Sequence, residues 1–376
     1  MTAPRGLSVV RPATLAEVVE AAAEDGARVI GGATALQLEW ANDAARPARL
    51  VDLTRCRELA GISVFETGGV RIGATTRLAA IERDADVTAK APLLVAAVRH
   101  VAAPGIRTLG TIGGNIAGRT GCLIPALLAL DASLEFASTS GRRTERLVDW
   151  LDRPSSPGGI VAAILVPATP ARTIETQRKI GRRAAFSPSV IGVAAMLELD
   201  GNDRISAARV AVGGGPNRPQ RLPESEALLV GQNLAGVKWD DIREALVGEI
   251  DAADDAWRSA SYRRRVAANA IVAGLGGATV RPEARGRATP LPLAGERWAR
   301  ALPAELEVSR TSLYDRWRIR PDISDKVTGR FRYLTEHREP GMLVGRILRA
   351  RRPHAHIRAI DTRAAEALPG VAAVVT

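Results

Sequence analysis

The sequence predicts an α+β protein: two small αβ units in tandem, a smaller α+β domain with an antiparallel sheet, and a C-terminal β/α extension. Three observations support this. Two Gly-Gly turns, at residues 28–36 and 101–115, each leave a short β-compatible run and open a helix. Two apolar runs, 191–199 and 205–212, flank an Asp-Gly-Asn-Asp segment, which is a strong hairpin signal. A stretch rich in Pro, Arg and Ala then precedes renewed β/α signal.

The first predicted unit spans residues 1–56. Thr14 and Glu17 form a capping box, and the apolar residues that follow share one helical face. Residues 28–30 are predicted to form a buried strand that ends at the first Gly-Gly turn, and residues 50–53 form another strand. The unit therefore places a glycine-rich turn at a strand end.

The second predicted unit spans residues 57–172. Residues 70–73 continue the β signal, and Thr76 is expected to cap a helix that runs to Arg83. A further helix covers 93–101, the second Gly-Gly turn follows, and another helix begins near Pro125. Pro167 and Pro170 end this pattern.

Residues 173–280 are predicted to form three strands backed by helices at 224–229, 240–247 and 262–273. The Gly-rich hexapeptide that begins at Gly274 ends the last helix and does not follow a strand, so it indicates a helix stop rather than a dinucleotide fingerprint. Residues 281–318 are expected to be a linker. Residues 319–376 form a last segment that ends on an apolar strand at 371–376 and is too short to bury a core of its own.

Composition excludes several classes of function. The chain has 376 residues and a net charge of +11, carried almost wholly by arginine. These arginines are scattered and are not interleaved with aromatic residues, which make up 3% of the chain, so nucleic-acid binding is not favoured. Two cysteines cannot supply the roughly four ligands of an iron–sulfur cluster. No signal peptide is evident and the longest apolar run, 122–130, is too short to span a bilayer, so we expect a cytoplasmic protein.

The two Gly-Gly turns are the candidate binding elements. Glycine lets backbone N–H groups converge on an anion, and two such loops suggest a site in which one diphosphate is bound between them. The alternative is that both are simply tight turns.

The motifs together resemble the FAD-binding subunit of the molybdenum hydroxylases, a family that includes xanthine dehydrogenase and the carbon monoxide dehydrogenase medium subunit. The sequence I-G-G-A-T-A-L from Ile30 is close to the family's A-G-G-x-S-L. The sequence I-R-T-L-G-T-I-G-G-N from Ile106 is close to I-R-N-x-G-T-I-G-G-N, with Thr108 in place of Asn. P-A-L-L-A-L-D-A from Pro125, K-I-G-R-R from Lys179 and S-Y-R-R-R from Ser261 also fit. The resemblance covers residues 8 to about 275.

This resemblance implies a two-lobed FAD-binding domain with the vanillyl-alcohol-oxidase-like fold, whose two loops cradle the pyrophosphate. It implies neither a catalytic side chain nor a metal site on this chain. The residues that it assigns to the cofactor are Ile30, Gly31, Gly32, Ala33, Thr34, Ala35, Leu36, Gly110, Thr111, Ile112, Gly113, Gly114, Asn115, Cys122 and Lys179.

Two of these positions bear on the flavin ring. Lys179 stands where the family has a lysine near the ring, and the alternative is a solvated strand residue. Cys122 stands where the family has an acidic residue, after a loop that is shorter than usual. The ring would thereby lose a carboxylate acceptor, or Cys122 is just a small buried residue.

The last segment carries a second resemblance. D-K-V-T-G-R-F-R-Y from Asp325 and P-G-M-L-V-G-R-I-L-R from Pro340 look like the start of the family's large, molybdenum-binding subunit. We expect either a large-subunit opening fused to the flavin subunit, which would dock onto a separate chain, or a truncated chain. His354 and His356 alternate along a strand without a third ligand, which favours an interface over a metal site.

The function implied is that of an electron-transfer flavoprotein subunit. FAD would lie on this chain, with molybdopterin and [2Fe–2S] clusters on a large and a small partner subunit, in a dimer of heterotrimers. Electrons would pass through FAD to NAD⁺ or another acceptor. Two alternatives stay open: a self-standing FAD oxidoreductase, and a scaffold subunit that has lost FAD.

Overall fold

The computed structural model describes residues 7–41, 44–153, 159–183, 187–277, 325–326, 328–349 and 356–376. The chain divides into two compact units, Met1–Arg287 and Ala288–Thr376. The predicted linker lies outside the described residues, and the predicted domain limits stay predictions.

The first lobe is a βαβαβ unit. Its strands are β1 (Ser8–Val10), β2 (Ala27–Ile30) and β3 (Arg49–Asp52), and its helices are α1 (Leu15–Ala23) and α2 (Thr34–Ala41). The strands form a parallel sheet in the order β1-β3-β2. The predicted capping box at Thr14 is confirmed, since its side chain accepts from the backbone N–H of Glu17 and Glu17 accepts from the backbone of Thr14. Strand β1 was not predicted, because it is short and largely exposed.

The second lobe contains a five-stranded antiparallel sheet of which the sequence indicated only one strand. Its strands are β4 (Ile62–Val64), β5 (Val70–Gly73), β6 (Ser133–Ser138), β7 (Gly141–Arg146) and β8 (Ile160–Val166), in the order β4-β5-β8-β6-β7. Its helices are α3 (Leu78–Ile81), α4 (Ala85–Lys90), α5 (Pro92–Arg99), α6 (Pro104–Arg107), α7 (Ile112–Ala117), α8 (Ile124–Ala129) and α9 (Leu147–Asp152). Short 3₁₀ turns at Leu53–Arg55 and Arg57–Leu59 join the two lobes.

Two predictions in this lobe were wrong. Thr76 does not cap a helix: its hydroxyl donates to the carbonyl of Gly61, and α3 begins at Leu78. The second Gly-Gly turn does not follow a β run either, because the helical turn α6 precedes it. Pro104 at the start of α6 accounts for this, since proline is well tolerated in the first helical turn.

The third lobe is an antiparallel sheet with helices on one face. Its strands are β9 (Thr173–Gly181), β10 (Ser189–Leu199), β11 (Ile205–Gly214) and β12 (Asn217–Arg221), and its helices are α10 (Pro223–Leu229), α11 (Trp239–Glu249) and α12 (Ala260–Gly276). A 3₁₀ turn at Leu234–Gly236 lies before α11. The predicted hairpin between β10 and β11 is confirmed. The sheet has four strands rather than the three predicted. Strand β12 was not predicted because it is a polar edge strand with a proline and lacks an apolar pattern.

Strand β10 explains how the second and third lobes share a core. Nearly all of its residues are buried, on both faces. Met196 and Ala194 belong to the apolar cluster of the second lobe, whereas Ile191 and Val193 belong to the cluster beneath α10–α12. Since helices cover both faces, the strand is apolar throughout rather than alternating.

The second compact unit is described over parts of 325–376. It contains a 3₁₀ turn at Leu334–Glu336 and the short helix α13 (Arg363–Glu366). The strand predicted at 371–376 was wrong, since these residues are not paired with any described strand. An isolated strand has no partner for its backbone groups. Apolar side chains such as Leu348 and Val375 are more than nine-tenths exposed.

Candidate functional site

The first Gly-Gly turn joins the end of β2 to the start of α2. Ala33 has a φ of +53°, in the left-handed region that few non-glycine residues adopt. Among the described residues, the backbone N–H groups of residues 31–34 donate to no protein acceptor. Because they stand at the amino end of an eight-residue helix, they form an open set of donors suited to an anion.

The second Gly-Gly turn has different local chemistry. Thr111 caps α7, and its hydroxyl oxygen accepts from the N–H of Gly114 at 3.1 Å. The N–H of Ile112 donates to the carbonyl of Thr76 at 3.1 Å, and the N–H of Gly113 donates to that of Ala74 at 2.9 Å. The expectation that both loops present converging backbone donors is therefore corrected: in this loop the amides hold the fold together.

Asn115 completes the second loop. Its side-chain carbonyl accepts from the N–H of Leu123 at 3.0 Å, which ties the end of α7 to the start of α8. A side chain at Gly121 would meet the backbone carbonyl of Asn115 at 1.8 Å, so the short connection between the helices is tightly folded. The Nδ2 atom of Asn115 donates to no protein acceptor among the described residues, so it stays available to a ligand.

The structure brings the two loops into direct contact. A Cβ atom at Gly32 would lie 1.9 Å from the carbonyl oxygen of Leu109, and one at Gly31 would lie 2.7 Å from the hydroxyl of Thr111. Neither position has room for any side chain, since real Cβ contacts do not come so close. These two glycines are therefore required by the approach of one loop to the other.

A cleft of about 250 Å³ opens beside the two loops. Four of the predicted site residues line it: Gly31, Thr111, Gly113 and Gly114. A Cβ atom at Gly114 would have only the hydroxyl of Thr111 within 4 Å, at 3.0 Å, so a longer side chain there would extend into the cleft. The other predicted loop residues support the two turns or lie beside the cleft without lining it: Ile30, Gly32, Ala33, Thr34, Ala35, Leu36, Gly110, Ile112 and Asn115.

Cys122 and Lys179 lie apart from this cleft, at the junction with the third lobe. The Sγ atom of Cys122 is 3.4 Å from the hydroxyl oxygen of Ser189, the first residue of β10. Lys179 lies on β9 and pairs in register with Gly192 of β10. The structure thus brings Cys122 to the strand that is hydrogen-bonded to the strand of Lys179.

The start of β10 is held by buried polar groups that the sequence did not reveal. The carbonyl of Val190 accepts from Nδ2 of Asn217 at 2.9 Å and from Nη1 of Arg263 at 3.3 Å. Both donors are 1% exposed. Arg263 also pairs with Asp255, whose pKa is lowered to about 2 by the N–H of Trp257 and by the Arg263 guanidinium. This network fixes the position of Ser189 beside Cys122.

Sequence reasoning missed most of the cleft lining, including its four charged or aromatic side chains: Arg119, Phe136, Arg143 and Trp150. The guanidinium carbon of Arg119 lies 4.3 Å from the ring centroid of Trp150, and that of Arg143 lies 4.2 Å from that of Phe136. The two rings are 6.0 Å apart. No motif links these residues, because they come from a loop, two strands and a helix that only the folded sheet brings together.

Two classes of site receive no support from the described residues. The described residues contain no group of three or more His, Cys, Asp or Glu side chains that could hold a metal ion. His354 lies outside the described part of the chain, so the predicted His pair is not placed. Within the described residues, no helix has the length and apolar character needed to cross a membrane.

Comparison with known proteins agrees with the order of the lobes. Residues 5–169 match the family described as FAD binding domain in molybdopterin dehydrogenase. Residues 177–278 match the CO dehydrogenase flavoprotein C-terminal domain. Residues 328–376 match the a/b hammerhead domain of aldehyde oxidase and xanthine dehydrogenase.

Individual relatives support the same family. The xanthine dehydrogenase FAD-binding subunit of Escherichia coli O157:H7 is 31% identical over 265 residues, which cover 68% of this chain and 89% of that subunit. A carbon monoxide dehydrogenase chain from Hydrogenophaga pseudoflava, in a form lacking the Mo-pyranopterin moiety, superposes with a TM-score of 0.67 at 25% identity and covers 73% of this chain and 97% of its own.

The last segment has a different relative. A probable xanthine dehydrogenase polypeptide of Bacillus subtilis is 51% identical over 59 residues, which are 16% of this chain but only 8% of that relative. The chain therefore belongs to the family of FAD-binding medium subunits of the xanthine and carbon monoxide dehydrogenases, and it also carries a segment that matches their hammerhead domain.

Proposed function

We propose that this chain holds FAD across the two Gly-Gly loops and transfers electrons from [2Fe–2S] clusters on a partner subunit to NAD⁺ or another acceptor. The observation that carries the proposal is the direct contact of the two loops beside the cleft, with the donors of the first loop open. FAD supplies both one- and two-electron chemistry, which suits it to link iron–sulfur centres to a two-electron acceptor.

The residues present fit a dinucleotide. Open N–H groups at residues 31–34 suit a pyrophosphate, because they are donors at a helix amino end. Thr111 adds a side-chain hydroxyl beside Gly31, and Asn115 adds a side-chain amide in the second loop. Glycines at 31 and 114 leave backbone exposed on the cleft wall, so a ligand can approach closely. In this proposal the second loop supplies shape and side chains, and the first loop supplies backbone donors.

Lys179 and Cys122 are assigned to the surroundings of the flavin ring. Lys179 is partly exposed on the edge strand β9 and would place positive charge there. Cys122 contacts Ser189 through its thiol rather than presenting a carboxylate. A thiol and a hydroxyl in place of a carboxylate would make the ring easier to reduce, because a carboxylate there would oppose the added electrons.

The partners follow from the family. We propose a large molybdenum-binding subunit and a small [2Fe–2S] subunit, assembled as a dimer of heterotrimers. The net charge of +11 favours docking of acidic surfaces or of an anionic dinucleotide. A cytoplasmic location also stays a prediction.

The first experiment is an absorbance spectrum of the full chain purified with its companions from its native host, together with mass identification of those companions. Flavin and iron–sulfur bands with two further chains would support the proposal. Flavin without companions would indicate a self-standing oxidoreductase, and a large partner without flavin would indicate a scaffold subunit.

The second experiment tests the site itself. Gly114→Val should abolish stoichiometric FAD, because its branched side chain would enter the cleft. Gly118→Val is the matched control: it lies at the end of the same helix, outside the cleft lining, and a Cβ there meets only the hydroxyl of Thr120 at 3.9 Å. Full FAD content in Gly114→Val would contradict the two-loop site.

A further inference from the structure

The cleft wall carries an arginine–aromatic cluster, defined here as Arg119, Arg143, Phe136 and Trp150. All four line the same cleft as Gly31 and Gly114. Phe136 is 3% exposed and forms part of the buried core, so the cleft wall is firmly packed and aromatic at this residue. The cluster therefore continues the loop site with a different chemistry.

Arg119 is held in an unusual backbone conformation. Its φ is +56°, a region that is costly for a long side chain and that usually has a local compensation. Its N–H donates to the carbonyl of Ile116 at 2.8 Å, and its guanidinium donates to the backbone carbonyl of Arg153. This conformation lays the guanidinium over the ring of Trp150 at the cleft wall.

The cluster has an excess of positive charge. Glu145 accepts from Arg143 at 3.1 Å and also pairs with Arg153. Arg119 joins this network only through a backbone carbonyl. Among the described residues its remaining N–H groups have no protein acceptor, and its charge has no carboxylate within salt-bridge distance. A guanidinium with open donors, stacked on an indole, suits a ligand that combines an anionic group with a planar ring.

We propose that Arg119 and Trp150 are specificity-determining residues that bind one nucleotide half of the dinucleotide, its planar ring together with its phosphate. This inference rests on the proposed function. The volume of the cleft, about 250 Å³, lies below the usual range for a whole drug-sized ligand, so it accommodates only part of FAD. Both halves of FAD carry this chemistry, and the assignment of the flavin ring to Lys179 and Cys122, which lie apart from this cleft, favours the adenosine diphosphate half.

The test measures dissociation constants of the full chain, stripped of flavin, for FAD, ADP and FMN by calorimetry. Arg119→Ala should bind FAD at least about tenfold more weakly and should lose affinity for one of the two halves only. The half that loses affinity identifies which nucleotide the cluster binds. Arg119→Lys should lie between wild type and Arg119→Ala, because lysine keeps the charge but not the planar stack.

Arg146→Ala is the matched control. Arg146 is an exposed arginine on β7 that pairs with Asp131 and does not line the cleft. Trp150→Phe should weaken FAD less than Trp150→Leu, since it retains an aromatic face. The thermal midpoint of each variant shows whether it is folded.

Three results separate the possible failures. Affinities of Arg119→Ala for FAD, ADP and FMN all within twofold of wild type would overturn the inference and leave the proposed function standing. Equal weakening by Arg146→Ala would also overturn it, since a general charge effect would then suffice. A wild-type chain that binds ADP but not FAD, with ADP lost in Arg119→Ala, would support the cluster and contradict the proposed cofactor.

Discussion

The contact between the two Gly-Gly loops can be tested by adding one methyl group. In Gly32→Ala the new Cβ would lie 1.9 Å from the carbonyl oxygen of Leu109. Since real Cβ contacts begin near 3 Å, one loop must move by roughly 1 Å, and both are backbone segments of a packed structure. We expect a loss of about 1–3 kcal/mol in the free energy of unfolding, the usual cost of overpacking.

The substitution should also weaken FAD binding, by a free energy comparable to the loss of stability. The displaced loop carries the open N–H donors, and a hydrogen bond to a charged group is worth about 1.5–3 kcal/mol. Misplacing one such bond would raise the dissociation constant roughly 10- to 100-fold. Urea denaturation followed by circular dichroism measures the first quantity, and quenching of flavin fluorescence during titration measures the second.

Gly105→Ala is the control for this substitution. Gly105 lies in α6, just before the second loop, and a Cβ there would have nothing within 4 Å. We expect it to bind FAD like wild type. If Gly32→Ala bound FAD within threefold of Gly105→Ala, the contact between the loops would not be needed for the cofactor.

Two further predictions concern the third lobe. The ionised form of Asp255, whose pKa is about 2, stabilises the fold above about pH 4, and this stability is lost as pH falls from 4 towards 2. In Asp255→Asn, the urea midpoints at pH 7 and pH 3 should therefore differ less than in wild type. An unchanged difference would count against the Arg263 pair. In Gly274→Ala the Cβ would meet the hydroxyl of Thr176 at 2.0 Å, so we expect the free energy of unfolding to fall by about 1–3 kcal/mol. A urea midpoint equal to that of wild type would show that α12 adjusts freely.

Sequence reasoning succeeded where the signal is local. The capping box at Thr14 and the hairpin at residues 200–203 are set by short-range hydrogen bonds, and both are confirmed. The glycines at 31 and 32 could be recognised as special, since only glycine allows such a close approach. Family membership could be predicted because the family's motifs are short and lie in order along the chain, and the comparisons confirm it.

Sequence reasoning failed where the partner is distant or the pattern weak. Strand β7 is polar and lies at the edge of its sheet, so it has no apolar alternation. The Gly-rich hexapeptide from Gly274 does end α12, at Gly276, but the sequence did not show that Gly274 also lets the helix approach Thr176 of β9. Glycine in a helix interior marks close packing in this case, and only the neighbouring strand shows it.

The order of the lobes, the two glycine turns and the family could be predicted from the amino-acid sequence, because these depend on residues that are near one another in the chain. The folded structure determines which amides are open. The donors at residues 112 and 113 are used by Thr76 and Ala74, some forty residues earlier, whereas those at residues 31–34 are not. It also decided that Arg119 and Trp150 share the cleft of Gly31, since the five-stranded sheet must form before side chains so far apart in sequence can meet.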